Sequence, residues 1–252
     1  MKSKKPVKKS SSASFPRKLF RLLAGALIII LLVPTIQLIV YKFVDPPFTW
    51  LMLDRKFLPE DGFEIHELRH SSVPMEQISK SMVFAVMSSE DQTFLDHNGL
   101  DVDAIEKALE YNETHKKKRG ASTISQQTAK NAFLWESRSW LRKGLEVPLT
   151  FAIEVVWGKA RIMEIYLNIA ELGPGVFGVE SASQYWFHKP ASRLSRHQAA
   201  LLAACLPAPR KFNPGRPSAY LNRRAAWIER QIGFMDQGRT VDELEIPTKH
   251  GK

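Results

Sequence analysis

From Leu22 to Tyr41 the chain runs for 20 residues without a charge, and Leu, Ile and Val dominate the run. A helix of that length spans about 30 Å, the thickness of a bilayer's hydrocarbon core. Gly25, Pro34 and Gln37 weaken the run without breaking it. The pattern predicts a transmembrane helix over 22–41. A buried core helix is one competing reading. A cleaved signal peptide is another, but it would carry a shorter apolar region followed by small residues, and 35–45 contains no Ala, Gly or Ser.

Beyond Val44-Asp45-Pro46-Pro47, a stiff exit because proline fixes φ, the pattern is mostly helical. Residues 63–68 alternate and predict a short strand. Pro74 leads into a helix over 75–89. Asp101 is placed to cap a helix carrying Val102, Ile105 and Leu109. Residues 112–120, with Lys116, Lys117, Lys118 and Arg119, read as a loop that either folds over a bound phosphate or is simply solvated. Ser122 is placed to cap the next helix. Apolar residues then recur at helical spacing over 138–168, where Pro148 and Gly158 should kink or interrupt the helix. An alanine- and leucine-rich core helix over 195–206 and a helix opening near Pro217 complete the pattern. The segments expected are a tail (1–21), the membrane span (22–41), a juxtamembrane linker (42–66), a folded domain (67–235) and a polar tail (236–252).

Charge fixes the orientation. The chain has 252 residues and a formal net charge of +10. Residues 1–21 carry eight lysines and arginines and no acid; the rest is nearly balanced, with 28 basic residues against 26 acidic. The basic character is therefore a tail rather than a domain-wide field, which argues against a nucleic-acid partner. Basic residues stay cytoplasmic, so everything after Lys42 is expected outside, where ATP is not. The single cysteine, Cys205, excludes an internal disulfide and a multi-cysteine metal site. No HExxH spacing or phosphate-cradling glycine loop occurs.

Three stretches carry candidate chemistry. Glu90 closes an apolar helix, where desolvation would raise a carboxyl pKa and suit it to general-base or general-acid work; a solvated helix end is the bland alternative. In Gly120–Asn131, eight of twelve residues carry a polar or charged side chain. Its amides are suited to sugar hydroxyls or peptide groups and Lys130 to a phosphate, against the alternative of a polar surface helix. Arg138, Arg142 and Glu146 share one helix face if the helix begins by Arg138. Glu154 and Glu164 read as pairing charges, and His97 and His188 as structural.

The order of these stretches resembles a known family. Glu90–Gly99 fits the first motif of the peptidoglycan glycosyltransferases, ED-x-x-F-x-x-H-x-G. Gly120–Asn131 fits the second, G-x-STI-x-QQ-x-x-KN. Arg142-Lys143-Gly144-Leu145-Glu146 through Tyr166-Leu167-Asn168 fits the third, Gly178-Val179-Glu180 through Phe187-His188-Lys189 the fourth, and Leu206–Pro209 with Asn213-Pro214 the fifth. The resemblance covers about 67–235 and is to the monofunctional, Gram-negative form: the Ser-x-x-Lys of a transpeptidase domain is absent from the chain. Gly158, Pro148, Trp186 and Phe212 depart from the family's usual residues.

The resemblance implies a mainly α, lysozyme-like glycosyltransferase domain behind one N-terminal transmembrane helix, in the bacterial inner membrane with the domain periplasmic. It implies that the growing strand on undecaprenyl pyrophosphate is transferred to the 4-hydroxyl of lipid II with inversion. Glu90 matches the catalytic base and Glu146 the second essential glutamate, which orients other groups or a divalent cation (Mg or Mn). Lys130 and Arg138 match the pyrophosphate holders. Ser122, Thr123, Gln126, Gln127, Asn131 and Arg142 are the further substrate-contact candidates. No cofactor is required. Expected partners are lipid II, the nascent strand, the membrane, and proteins of division or wall synthesis. The apolar run Ala132–Trp135 either dips into the membrane interface or is ordinary core. A glycan-cleaving lysozyme-like enzyme and a non-catalytic scaffold are the rival readings.

Overall fold

The computed structural model describes residues 14–57, 67–136 and 139–238. Ten helices and a three-stranded sheet are assigned among them. The first helix, α1 (Ser14–Tyr41), begins upstream of the uncharged run. Among the described residues, no helix is long and apolar enough to cross a membrane. The C-terminal end of α1 is fastened to the folded domain. The Trp157 indole donates to Leu38 O (2.7 Å), and the Arg161 guanidinium donates twice to Tyr41 O (2.9 and 2.8 Å) and pairs with Asp45 at 2.7 Å.

The expected linker is not featureless. It contains α2 (Trp50–Phe57), which packs on α5 and buries Met52 and Arg55 three residues apart, one turn along the same helix face. Residues 58–66 lie outside the described residues, and with them most of the strand expected at 63–68. A strand instead occupies Arg69–His70 (β1). It pairs parallel with β3 (Val176–Phe177), and β3 pairs antiparallel with β2 (Glu171–Gly173). Pro174 and Gly175 make the turn joining β2 and β3.

Past Pro74 the chain makes a 3-10 turn (Met75–Gln77) before α3 (Lys80–Glu90), so the helix starts later than its apolar pattern suggested. Asp101 caps α4 (Val102–Thr114) by accepting from Ala104 N, and α4 takes the first residues of the expected basic loop. The cap of α5 (Ile124–Phe133) is Thr123, not Ser122. The Thr123 hydroxyl accepts from Gln126 N while the Gln126 amide oxygen accepts from Thr123 N, a reciprocal capping box that a serine one residue earlier cannot make.

The helix expected over 138–168, with Pro148 and Gly158 as its points of interruption, is two helices, α6 (Trp140–Val156) and α7 (Gly158–Ile169). Pro148 is accommodated inside α6. The break comes at Gly158, whose φ of +74° is strained for any residue with a Cβ. This accounts for a glycine at that departure from the family pattern. Next, α8 (Val179–Phe187) leads to α9 (Arg196–Cys205), which Ser195 caps and whose residues 199–205 are all buried. Finally, α10 (Ala219–Gly238) runs into the expected polar tail, and 239–252 lie outside the described residues.

The core has two packed groups. In one, α3, α9 and α10 pack together; in the other, α5 lies against α6 and α7. Ala132, Phe133 and Leu134 belong to this core, with the Phe133 ring 5.9 Å from Tyr41 and 5.6 Å from Trp157. The core reading of that run therefore holds, and only Trp135 is substantially exposed.

Candidate active site

The first two sequence motifs meet each other before they meet any substrate. Past Glu90 the backbone turns out of the helix, and Asp91 Oδ2 accepts from Ile124 N at 2.9 Å, the first residue of α5. The same carboxylate holds His97 Nε2 at 3.0 Å, and His97 Nδ1 accepts from Gly99 N. The Thr123 hydroxyl, besides capping α5, donates to Gly99 O at 2.6 Å. Gly99 sits at φ +99°, and a Cβ there would fall 2.9 Å from Thr150. Phe94, fully buried beneath this latch, contributes about 1.5–3 kcal/mol of apolar burial. The latch brings the end of α3 against the start of α5 and sets Glu90 opposite Gln127.

Glu90 is half-buried. Its Oε2 accepts from Gln127 Nε2 at 3.0 Å and its Oε1 from the Ser89 hydroxyl at 3.2 Å. The Gln127 oxygen accepts from the Tyr166 hydroxyl at 3.3 Å, which fixes the amide's orientation. Tyr166 is completely buried, and burial with the charges of Glu90 and Asp91 holds its phenol protonated, well above the ordinary tyrosine value. Glu90 is thus held by neutral donors alone; among the described residues no cation pairs with it.

Gln127 also borders an open cavity of about 710 Å³. Its walls come from α2 (Leu51, Arg55), α5 (Lys130, Asn131), α6 (Arg142), the end of α7 with β2 (Glu171), and the segment after α9 (Pro207, Arg210). Lys130 lies one turn beyond Gln127 on α5. It is half-buried, and among the described residues its ammonium makes no hydrogen bond or ion pair. Burial, then the nearby Arg142 charge, push its pKa below the ordinary lysine value. Glu90 itself lines a smaller neighbouring cavity of about 280 Å³, with Ser122, Thr123 and Asp101. Gln127 stands between the two.

Glu146 differs from Glu90. It is only 3% exposed, and both its oxygens are on cations, Arg142 at 2.6 Å and Lys143 at 2.5 Å. Glu154 and Glu164 pair with Lys159 and Arg161, as their sequence positions suggested. Burial lifts the Cys205 thiol to about 12, so it stays an inert core group.

The structure thus brings together Glu90, Gln127, Lys130, Asn131, Arg142 and Glu146. Ser122 is exposed at the smaller cavity. Gln126 is buried in the cap and lines neither cavity, and Thr123 is occupied by the cap and the latch. Arg138 lies outside the described residues. Sequence reasoning missed Arg55, Glu136 and Glu171. Arg55 Nε donates to Glu171 Oε2 at 3.2 Å, and its two terminal nitrogens meet the Glu136 oxygens at 3.0 and 2.6 Å.

Residues 59–232 match the family model described as "Transglycosylase". The chain belongs to the transglycosylase family. Curated relatives named biosynthetic peptidoglycan transglycosylase bear this out. One from Aeromonas hydrophila is 46% identical over 88% of this chain and 93% of its own length. One from Pasteurella multocida is 49% identical over 88% and 89%, and one from Klebsiella oxytoca is 54% identical over 77% and 84%. The transglycosylase domain is mainly helical, and its matched region begins just after α2, so Arg55 stands outside it.

Proposed function

We propose that this transglycosylase polymerises peptidoglycan glycan strands, taking lipid II as substrate and carrying no transpeptidase activity. The single observation that carries the reading is a half-buried lysine without an ion pair, Lys130, one helical turn from the glutamine that holds Glu90. In the reaction the Glu90 carboxylate takes the proton of the acceptor's 4-hydroxyl. That oxygen bonds to the donor's anomeric carbon from the face opposite the leaving group, and the carbon–phosphate oxygen bond breaks. The centre inverts and undecaprenyl pyrophosphate departs. A positioned base of this kind contributes typically about 10²–10⁴-fold. Cationic donors aimed at the leaving diphosphate gain strength as its charge develops. Lys130 and Arg142 fill that role, with Arg138 proposed to share it and Asn131 as a neutral contact. Glu146 orients Arg142 and Lys143.

The site does not fit a resident divalent cation. Both Glu146 oxygens already sit on cations, and among the described residues no group of three His, Cys, Asp or Glu is disposed to hold a metal. No step is routed through one.

The membrane reading belongs to the same proposal: α1 as a single-pass anchor of the inner membrane, its basic tail cytoplasmic and the catalytic domain periplasmic. It is supported by the exposed apolar side chains along α1, such as Ile28, Leu32, Ile36 and Ile39. A second support is the outer face of α6. There Leu141, Phe151 and Val155 are exposed at helical spacing beside Trp140, which is 92% exposed. A polyprenyl substrate stays in the bilayer, so a cleft near an apolar surface suits it.

One experiment tests both halves. Membranes carrying the full chain are washed with alkaline carbonate, and the retained protein is supplied with lipid II or with finished glycan. Retention and conversion of lipid II to polymer are expected. Release by the wash overturns the anchor; cleavage of finished glycan with lipid II untouched overturns the polymerase.

A further inference from the structure

We infer that Arg55, on the short helix preceding the transglycosylase domain, is a positioning residue that keeps the Glu136 carboxylate off the diphosphate-binding cations. The inference rests on the polymerase reading above and assigns a task to a residue outside all five motifs.

Arg55 is 5% exposed. Glu136 accepts from its Nη2 at 3.0 Å and makes a 2.6 Å ion pair with Nη1, and Glu171 on β2 accepts from Nε at 3.2 Å. A two-point fork of this kind fixes the direction of a carboxylate as well as its distance. Glu136 needs such fixing. Its side chain is 44% exposed at the rim of the 710 Å³ cavity, and its charge is already felt at Lys130. Glu146, whose charge is felt at Lys130 ahead of that of Glu136, has both its oxygens on Arg142 and Lys143 and so does not turn to the ammonium. A Glu136 released from Arg55 would find Lys130, a half-buried cation without an ion pair among the described residues, lining the same cavity. It would compete with the incoming diphosphate from within the same molecule, where the effective concentration of a tethered group reaches about millimolar or more.

The rest of the clamp is suited to this task. Glu171 is buried and its Oε2 accepts from Arg55 Nε, so it backs the guanidinium from the interior. Helix α2 packs on α5, the helix that carries Lys130, so the clamp and the cation it protects are held on adjoining elements.

The test is a rescue. Steady-state polymerisation of lipid II is measured for the full chain in vesicles, as wild type, R55Q and R55Q/E136Q. The expected result for R55Q is a KM raised about tenfold with kcat within about threefold, because a tethered competitor obstructs binding and not the chemical step. Adding E136Q removes the competitor's charge and returns KM to within about threefold of wild type. A residue that merely fastens α2 gives the opposite result, since deleting Glu136 then removes a second support and leaves KM as high or higher. That outcome, or an unchanged KM in R55Q, overturns the inference while leaving the wild-type polymerase intact. A wild type that does not consume lipid II instead strikes the functional reading itself. Should R55Q not fold, Arg55→Lys retains the charge and loses the fork. Its KM rise should be smaller and should likewise vanish with E136Q; a rise that persists overturns the inference.

Discussion

The two ends of the site are built from different interactions. At the Glu90 end every contact to the carboxylate comes from a neutral group, the Ser89 hydroxyl and the Gln127 amide, with Tyr166 behind. At the Lys130 end the contacts are ionic: Arg142 and Lys143 on Glu146, Arg55 on Glu136 and Glu171. Cations occupy both oxygens of Glu146, which leaves that carboxylate no oxygen to turn toward a substrate hydroxyl. Two neutral donors fix the direction of Glu90, which lines a cavity. In the proposed reaction Glu90 is therefore the base, and Glu146 holds cations still.

The largest effect should come from erasing that difference. Glu90→Gln keeps the size and the hydrogen bond to Gln127 and removes only the basic oxygen. Polymerisation of lipid II should fall by about 10²–10⁴-fold, with the thermal midpoint and circular dichroism unchanged. Turnover within tenfold of wild type would take the base role away from Glu90 and return the two carboxylates to equal standing.

A pH profile sharpens the comparison from the other end. Burial and Arg142 depress the Lys130 pKa, so the ammonium loses its proton at lower pH than an ordinary lysine. The alkaline limb of kcat/KM should therefore begin early, and Lys130→Arg, which stays charged, should move it to higher pH. Stability runs the other way. Between the depressed folded value and the ordinary unfolded one, the unfolded chain binds more protons, so this group adds stability as pH rises. Activity falling while the melting temperature holds or rises over one pH window would separate site titration from unfolding. An alkaline limb that stays in place in K130R would remove Lys130 from the diphosphate.

Much of this arrangement was legible in the residues, and the exceptions have physical reasons. The five motifs were legible through the family resemblance, and the Asp101 cap and the buried helix after Ser195 follow from capping chemistry and periodicity that are local. What is not local was not legible. Arg55 falls in the stretch read as a juxtamembrane linker, because nothing in Trp50–Phe57 announces that two glutamates 81 and 116 residues further on will enclose it. The run Ala132–Trp135 suits lipid and core equally, and only the packing of Tyr41 and Trp157 on Phe133 decides between them. The extra turn before α3 is a backbone event that an apolar pattern passes over, whereas the break at Gly158 is one of the two interruptions the sequence offered.

Gln126 and Gln127 condense this into one pair. They are adjacent, chemically identical, and equally suited on paper to a sugar. Successive residues on a helix point about 100° apart, so both cannot face one cleft. The structure turns Gln127 to Glu90 and Gln126 into the cap of its own helix. Gln126→Ala should therefore cost stability and not affinity. The Thr123 cap on the backbone N of residue 126 survives and the one side-chain bond to Thr123 N is lost, worth about 1 kcal/mol, a fall in melting temperature of roughly 2–4 °C for a domain of this size, with KM for lipid II within about twofold of wild type. A KM raised tenfold at an unchanged melting temperature would make Gln126 a substrate contact after all, and would mean that α5 presents a different face to the cleft when lipid is bound.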